Sequence, residues 1–269
     1  MAEYSLDDLR YLMSRLRDPV DGCAWDKQQS FATIAPHTIE ESYELLDAIE
    51  SGDTQQIKEE LGDVLFQVVF YAQLGQEQNQ FDFSSIVSGL VDKLIRRHPH
   101  VFPAGTLQSR SSGMGLEQAE IKQNWEAIKA AERVGKRKKR VLDDIPLSFP
   151  ALIRAEKLQK RAAQVGFDWD DSKGVLDKVN EEIAELKTAM AQADQQHIEE
   201  ELGDLLFSVV NLSRHLNINA ETALRAANKK FETRFAYIEQ TLIAEGSSPS
   251  RATLEQMDWL WHEAKLQGL

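Results

Sequence analysis

The sequence predicts an all-α protein made of two tandem, homologous helical-bundle domains. Three observations carry this prediction. Apolar residues recur at the helical period, no segment alternates as a strand would, and two acidic blocks occur twice at one fixed separation.

The helical period is plainest over residues 54–75. Ile57, Leu61, Val64, Leu65, Val68, Val69 and Ala72 fall on one stripe of a 3.6-residue helix. A matching stripe runs through Ile198, Leu202, Leu205, Leu206, Val209 and Val210. At the start of the chain, Ser5 and Asp8 form a capping-box pattern ahead of Leu6, Leu9, Leu12, Met13 and Leu16. Only 14 Gly and 7 Pro interrupt the chain, so four or five helices per domain are expected.

The repeat sets the domain boundaries. Residues 40–45 read EESYEL and 181–186 read EEIAEL; residues 59–66 read EELGDVLF and 200–207 read EELGDLLF, so both blocks return 141 positions later. Around them, Lys93/Arg97 is echoed by Lys230/Arg234, Trp125/Lys129 by Trp261/Lys265, and Trp25-Asp26 by Trp169-Asp170. The separation drifts in these flanks, as loop insertions would cause. The domains are placed at 1–130 and 151–269. The linker at 131–150 contains the basic run RVGKRKKR (133–140), a solvated hinge, with Pro146 and Pro150 before the second domain. Residues 103–115 (PAGTLQSRSSGMG) read as a loop.

Composition bounds the function. A formal charge of −13 gives no electrostatic help toward a nucleic-acid backbone, so nucleic acid is not an expected partner. Cys23 is the single cysteine, which excludes a disulfide framework and a multi-cysteine zinc site. No apolar run approaches the ~18 residues of a membrane span, and the N-terminal stretch lacks a signal-peptide pattern. The expectation is a cytoplasmic protein without a membrane partner.

The acidic blocks carry the chemistry. Residues three apart share a helix face, so Glu41 and Glu44 point one way, as do Glu60 and Asp63. Between them Gly52 is suited to end the first helix in a left-handed conformation, and Asp53 to cap the second. Glu44 lies eight residues before that turn and Glu60 seven after it, each about 11 Å away at 1.5 Å per residue. In an antiparallel hairpin the two pairs therefore meet. Four carboxylates in one small volume repel each other unless a cation joins them, and hard oxygen ligands suit Mg²⁺, with Mn²⁺ as a substitute. The second copy repeats the set with Glu182, Glu185, Glu201 and Asp204, its turn capped by Asp194. A lone E-x-x-E is usually a solvated helix face; two copies at equal spacing argue against that here. Gly62 and Gly203, each before the Asp, weaken a helix by up to ~1 kcal/mol relative to Ala, which close helix packing or ligand approach would explain.

E-E-x-x-E followed by E-x-x-D, with the flanks GCAWDKQQS (22–30) and RRHPHVF (96–102), resembles the MazG-type, all-α nucleoside triphosphate pyrophosphohydrolases over nearly the whole chain. The resemblance implies a helical bundle that forms homodimers. It implies hydrolysis of a nucleoside triphosphate, ATP included, often with broad base tolerance: water attacks the α-phosphorus and pyrophosphate leaves. It implies a housekeeping role in removing aberrant or excess nucleotides. Glu182, Glu185, Glu201 and Asp204 would then hold the metal and serve catalysis. Lys178, Glu181, Lys230 and Arg234 would contact substrate, His197 would either touch phosphate or stay on the helix surface, and Trp261 would either stack on the base or pack in the core.

The two copies differ at one informative place, where Lys178 stands opposite His37 of the first copy. A neutral His grips phosphate less well, so the second domain is the favoured catalyst. Glu41, Glu44, Glu60, Asp63, Lys93, Arg97 and Trp125 form a possible second site. Three alternatives stand beside this reading: a non-catalytic nucleotide- or metal-binding regulator, a base-selective dUTP or dCTP pyrophosphatase, and a helical interaction module with solvated acids.

Overall fold

A computed structural model of the chain describes residues 3–111, 115, 117–134 and 140–269. Residues 135–139 of the basic run and 112–114 of the loop expected at 103–115 lie outside the described residues. The remaining part of that loop, 103–111, contains no helix. The chain divides into two compact units, Met1–Gly135 and Lys136–Leu269.

The first unit contains α1 (Leu6–Leu16), α2 (Phe31–Ser51), α3 (Thr54–Glu77), α4 (Phe83–Arg97) and α5 (Gln118–Val134). The second contains α6 (Ala151–Ala163), α7 (Ser172–Gln192), α8 (Gln195–His215), α9 (Ala220–Ala244) and α10 (Leu254–Leu266). Among the described residues there is no strand. Each unit is organised on one long antiparallel hairpin, α2–α3 or α7–α8.

Local sequence explains the hairpins. The Asp53 carboxylate accepts from the backbone N–H groups of Gln55 and Gln56, and Asp194 accepts from those of Gln196 and His197. Gly52 closes α2 at φ +76°, the left-handed conformation that a residue without Cβ adopts freely. Ala193 holds the same position in the second hairpin at φ +55°, where its Cβ is strained against the following carbonyl. Ala193→Gly is therefore expected to stabilise the second unit by about 1 kcal/mol, read as a raised urea midpoint at unchanged slope.

The first core gathers Met13, Ile34, Val69, Phe70 and Leu74, with Leu9, Phe31, Phe66, Tyr71 and Phe83 packed around it. In the second unit Ile238, Leu242 and Leu260 form a cluster with Phe235, Met257 and Trp261. The apolar stripes divide along their length. Val69, Ala72 and Val210 are buried, whereas Leu61, Leu65, Leu202 and Leu206 are exposed. Periodicity marks an apolar face, but whether an element of the same chain covers it is decided by tertiary packing.

Candidate metal and nucleotide site

In the second unit α7 carries Lys178, Glu181, Glu182 and Glu185, while α8 carries His197, Glu201 and Asp204. The hairpin brings one carboxylate oxygen from each of Glu182, Glu201 and Asp204 within 4.8 Å of one another. The first unit repeats this with Glu41, Glu60 and Asp63. Glu44 and Glu185 stand outside these triplets, but they add to the same negative field. Desolvation, then Asp63, Glu44, Glu60 and Glu40, push the Glu41 carboxyl up. Glu60 is raised by desolvation, then by Glu44, Asp63 and Glu59. The Glu185 carboxyl also rises through desolvation, with Lys178 opposing and Glu201, Glu182 and Glu181 adding to it. These are the shifts expected of acids gathered without a compensating cation.

The surroundings of the two triplets differ. Glu182 is only 4% exposed, whereas Glu41 is half-buried. Lys178 donates to Glu182 at 2.8 Å and to Glu181 at 2.9 Å, and both carboxylates hold its ammonium well above the ordinary lysine range. His37, in the matching position, lies 3.4 Å from Glu40 and edge-on to Trp25 with ring centroids 6.1 Å apart. His197 contacts Glu201 at 2.9 Å, so it adjoins the triplet through an acid.

The two arginines farther along are engaged with the protein. Arg97 donates to Glu132 at 2.6 Å and joins α4 to α5; with Arg96 it lowers the Glu132 carboxyl to about 2. Arg234 donates to the Leu269 carbonyl at 2.8 Å and lies 5.3 Å from the Trp261 ring centroid. Lys230 is exposed on α9 and Lys93 half-buried on α4. Trp261 is half-buried; it packs against Phe231 at 5.3 Å and against the second-unit cluster. Trp125 is 40% exposed and its ring lies 5.7 Å from that of His98.

Gly62 and Gly203 are not required by packing within the chain, since a Cβ at either would meet nothing within 4 Å. The close-helix-packing explanation is thereby corrected: both glycine faces are open.

One polar network was not legible in the acidic motifs. Asp168, just before α7, accepts from Arg214 Nη1 at 2.9 Å, from Arg214 Nη2, and from His215 Nε2 at 3.0 Å. Hydrogen bonding to Arg214 first, and then to His215, holds its carboxyl at about 2, below the ordinary 3.8, against the opposing effect of burial. A carboxyl depressed on folding stabilises the fold above its unfolded value. Its contribution is present above about pH 4 and is lost as pH falls through about 2. Asp168→Asn is expected to cost about 1 kcal/mol at pH 7, the low end for a charged hydrogen bond because the site is partly solvated. Urea unfolding across this range should show the difference between the proteins vanishing toward pH 2.

Helical hairpins bring carboxylates from two helices together twice in this chain, which makes it an all-α protein with two acid-lined sets of groups that could hold a cation. The chain belongs to the MazG nucleotide pyrophosphohydrolase family, whose sequence model matches residues 29–102 and 171–237, one acid set in each segment. It is 51% identical over 264 residues to a nucleoside triphosphate pyrophosphohydrolase of Escherichia coli (strain K12), covering 97% of both chains. It is 44% identical over 259 residues to the nucleoside triphosphate pyrophosphohydrolase/pyrophosphatase MazG of Thermotoga maritima, covering 96% of this chain and 95% of that one. An uncharacterised Bacillus subtilis protein, YabN, is 41% identical over 263 residues, and the match spans 52% of its length.

Proposed function

We propose that the protein is a Mg²⁺-dependent nucleoside triphosphate pyrophosphohydrolase with broad base tolerance, acting chiefly through its second unit. Nucleoside or deoxynucleoside triphosphate plus water gives monophosphate plus pyrophosphate. The observation that carries this reading is the triplet of Glu182, Glu201 and Asp204 with oxygens within 4.8 Å, in a chain of the MazG family.

The donor set fits a hard divalent cation: all three groups are carboxylates, and none is a thiolate. Glu182, Glu201 and Asp204 would hold it, with Glu185 as the fourth acid. When bound, Mg²⁺ supplies charge neutralisation for the phosphate oxygens and the leaving pyrophosphate. The chain's own residues do the rest. Glu185, the acid outside the triplet, would serve as base, taking a proton from the attacking water at a carboxylate oxygen. The bond between the α-phosphorus and its bridging oxygen to the β-phosphorus breaks, and that oxygen leaves with pyrophosphate. Lys178 would exchange its partners Glu181 and Glu182 for phosphate, and Lys230, together with Arg234 on its release from the Leu269 carbonyl, would supply further positive charge from α9. His197 steadies Glu201. His37 in place of Lys178, and a less buried Glu41, favour the second unit over the first.

Two copies of the chain are proposed to pair. Leu61, Leu65, Leu202 and Leu206 form apolar edges beside the acid-bearing faces of α3 and α8, and a second copy would cover them. Light scattering should give twice the 30.5 kDa of one chain, and a monomer at micromolar concentration would overturn the pairing.

Incubation with each common ribo- and deoxyribonucleoside triphosphate, with and without Mg²⁺, tests the activity. Monophosphate plus pyrophosphate from several bases, only with metal, is expected. Strong preference for a single pyrimidine would replace this reading with a base-selective one, and metal-dependent binding without turnover would replace it with a regulator.

A further inference from the structure

Residues 267–269 follow α10 and close it. Gly268 takes the left-handed conformation there, at φ +82°. Its N–H donates to the Lys265 carbonyl at 3.1 Å, and the Leu269 N–H donates to the Ala264 carbonyl at 3.1 Å. Ala264 is fully buried, so this end of the helix is anchored in the unit. Gln267 adds a tie to α9, its Nε2 donating to the Tyr237 hydroxyl at 2.8 Å. The turn directs the Leu269 carbonyl to α9, where it accepts from Arg234 Nε at 2.8 Å. The guanidinium also lies 5.3 Å from the Trp261 ring centroid, so it is held at an edge and beside a ring.

The first unit contains the same device in a stronger form. Arg97, the counterpart of Arg234, is held from the helix that carries the matching tryptophan. Glu132 lies seven residues after Trp125, and Leu269 lies eight after Trp261. Arg97 donates to Glu132 Oε2 from Nη2 at 2.6 Å and from Nε at 3.2 Å, and Arg96 donates to Oε1 at 2.7 Å. There the acceptor is a full carboxylate; in the second unit it is a neutral carbonyl. A bond between two ions is the stronger, so a phosphate displaces the carbonyl more readily than the carboxylate. Room for displacement exists beside the contact. A cavity of about 440 Å³ is bounded by Leu269 and by Lys229, Thr233, Tyr237 and Gln240 of α9.

We propose that residues 267–269 form an autoinhibitory latch on the second unit, in which the Leu269 carbonyl withholds Arg234 until a triphosphate displaces it. The proposal rests on the pyrophosphohydrolase reading and adds its regulation. A phosphate oxygen carries charge and takes the guanidinium from a neutral carbonyl, so highly charged ligands open the latch and weakly charged ones leave it closed. Breaking the contact opposes substrate binding. Weakening the latch therefore tightens binding. The first unit, with Arg97 paired to a carboxylate, stays closed to the same ligand.

The test is calorimetric binding to the full chain, with Mg²⁺, of an adenosine triphosphate analogue that has a methylene group between the α- and β-phosphorus. It does not depend on turnover. A Cβ at position 268 would meet nothing within 4 Å, so a substitution there acts through φ. Gly268→Val puts a β-branched residue in the left-handed region, which opens the latch and should tighten binding about tenfold. Gly268→Asn, which tolerates that region, should bind as the wild type does. Tyr237→Phe removes the tie from Gln267 and should tighten binding about threefold by the same route. In an Arg234→Gln background neither Gly268→Val nor Tyr237→Phe should change the affinity, with circular dichroism confirming the fold of each variant. Weaker binding in Gly268→Val would mean that the carbonyl positions Arg234 and does not withhold it, and would overturn the proposal. Unchanged binding in both Gly268→Val and Tyr237→Phe, or a gain that persists in Arg234→Gln, would overturn it too. Turnover of triphosphates without these shifts removes the latch alone; the shifts in a protein that hydrolyses no triphosphate keep the latch and remove the enzymatic reading.

Discussion

Glu182→Gln is expected to lower triphosphate turnover by about 10³-fold, on the order of 4 kcal/mol of transition-state stabilisation. The substitution keeps the shape of the side chain and removes one of three carboxylates whose oxygens lie within 4.8 Å. A neutral amide is a poor ligand for a hard cation, and Lys178 loses the partner it reaches at 2.8 Å. The fold should survive, because a buried carboxylate among other acids is itself costly and its neutral form is not. Thermal unfolding near the wild-type midpoint, alongside lost turnover, is the expected pair of results. Glu41→Gln, the matching change in the first unit, should leave turnover within a few-fold of wild type. Near-normal turnover in Glu182→Gln combined with a large loss in Glu41→Gln would move the catalytic site to the first unit.

Phe70→Ala carries the largest expected effect on stability. Phe70 is fully buried among Met13, Ile34, Val69 and Leu74. Its ring meets Phe66 edge-on at 5.9 Å, and the Arg17 guanidinium lies 5.3 Å from its centroid. That guanidinium is itself fixed by Glu77 at 2.6 Å and by the Asp26 and Gln29 carbonyls. Truncation leaves a cavity where the surroundings cannot collapse freely, at a cost of about 3–5 kcal/mol. The two compact units need not unfold together, so the first-unit transition in urea should move to lower denaturant while the second stays in place. A loss below about 1 kcal/mol would contradict the packing described for this core.

Much of this architecture is written locally in the sequence. Ser5, Gly52, Asp53 and Asp194 announce helix ends because capping depends on a few neighbouring residues, and all four act as their positions imply. The meeting of Glu182 with Glu201 and Asp204 follows from counting residues back from one turn, since an antiparallel hairpin fixes register over that distance. Features that depend on packing were not legible in the same way. Trp261 packs against a core cluster because α9 and α10 lie together, and no spacing in either helix shows that. Leu61 and Leu202 belong to apolar stripes yet remain exposed, because period reports a face and not what covers it. Arg97 is directed to Glu132 by the packing of α4 on α5.

Turnover of ATP in ¹⁸O-labelled water with Mg²⁺, followed by mass spectrometry of both products, tests the central claim most directly. Attack of water on the α-phosphorus predicts one labelled oxygen in the adenosine monophosphate and none in the pyrophosphate. Label in the pyrophosphate, or formation of diphosphate and orthophosphate, would contradict it.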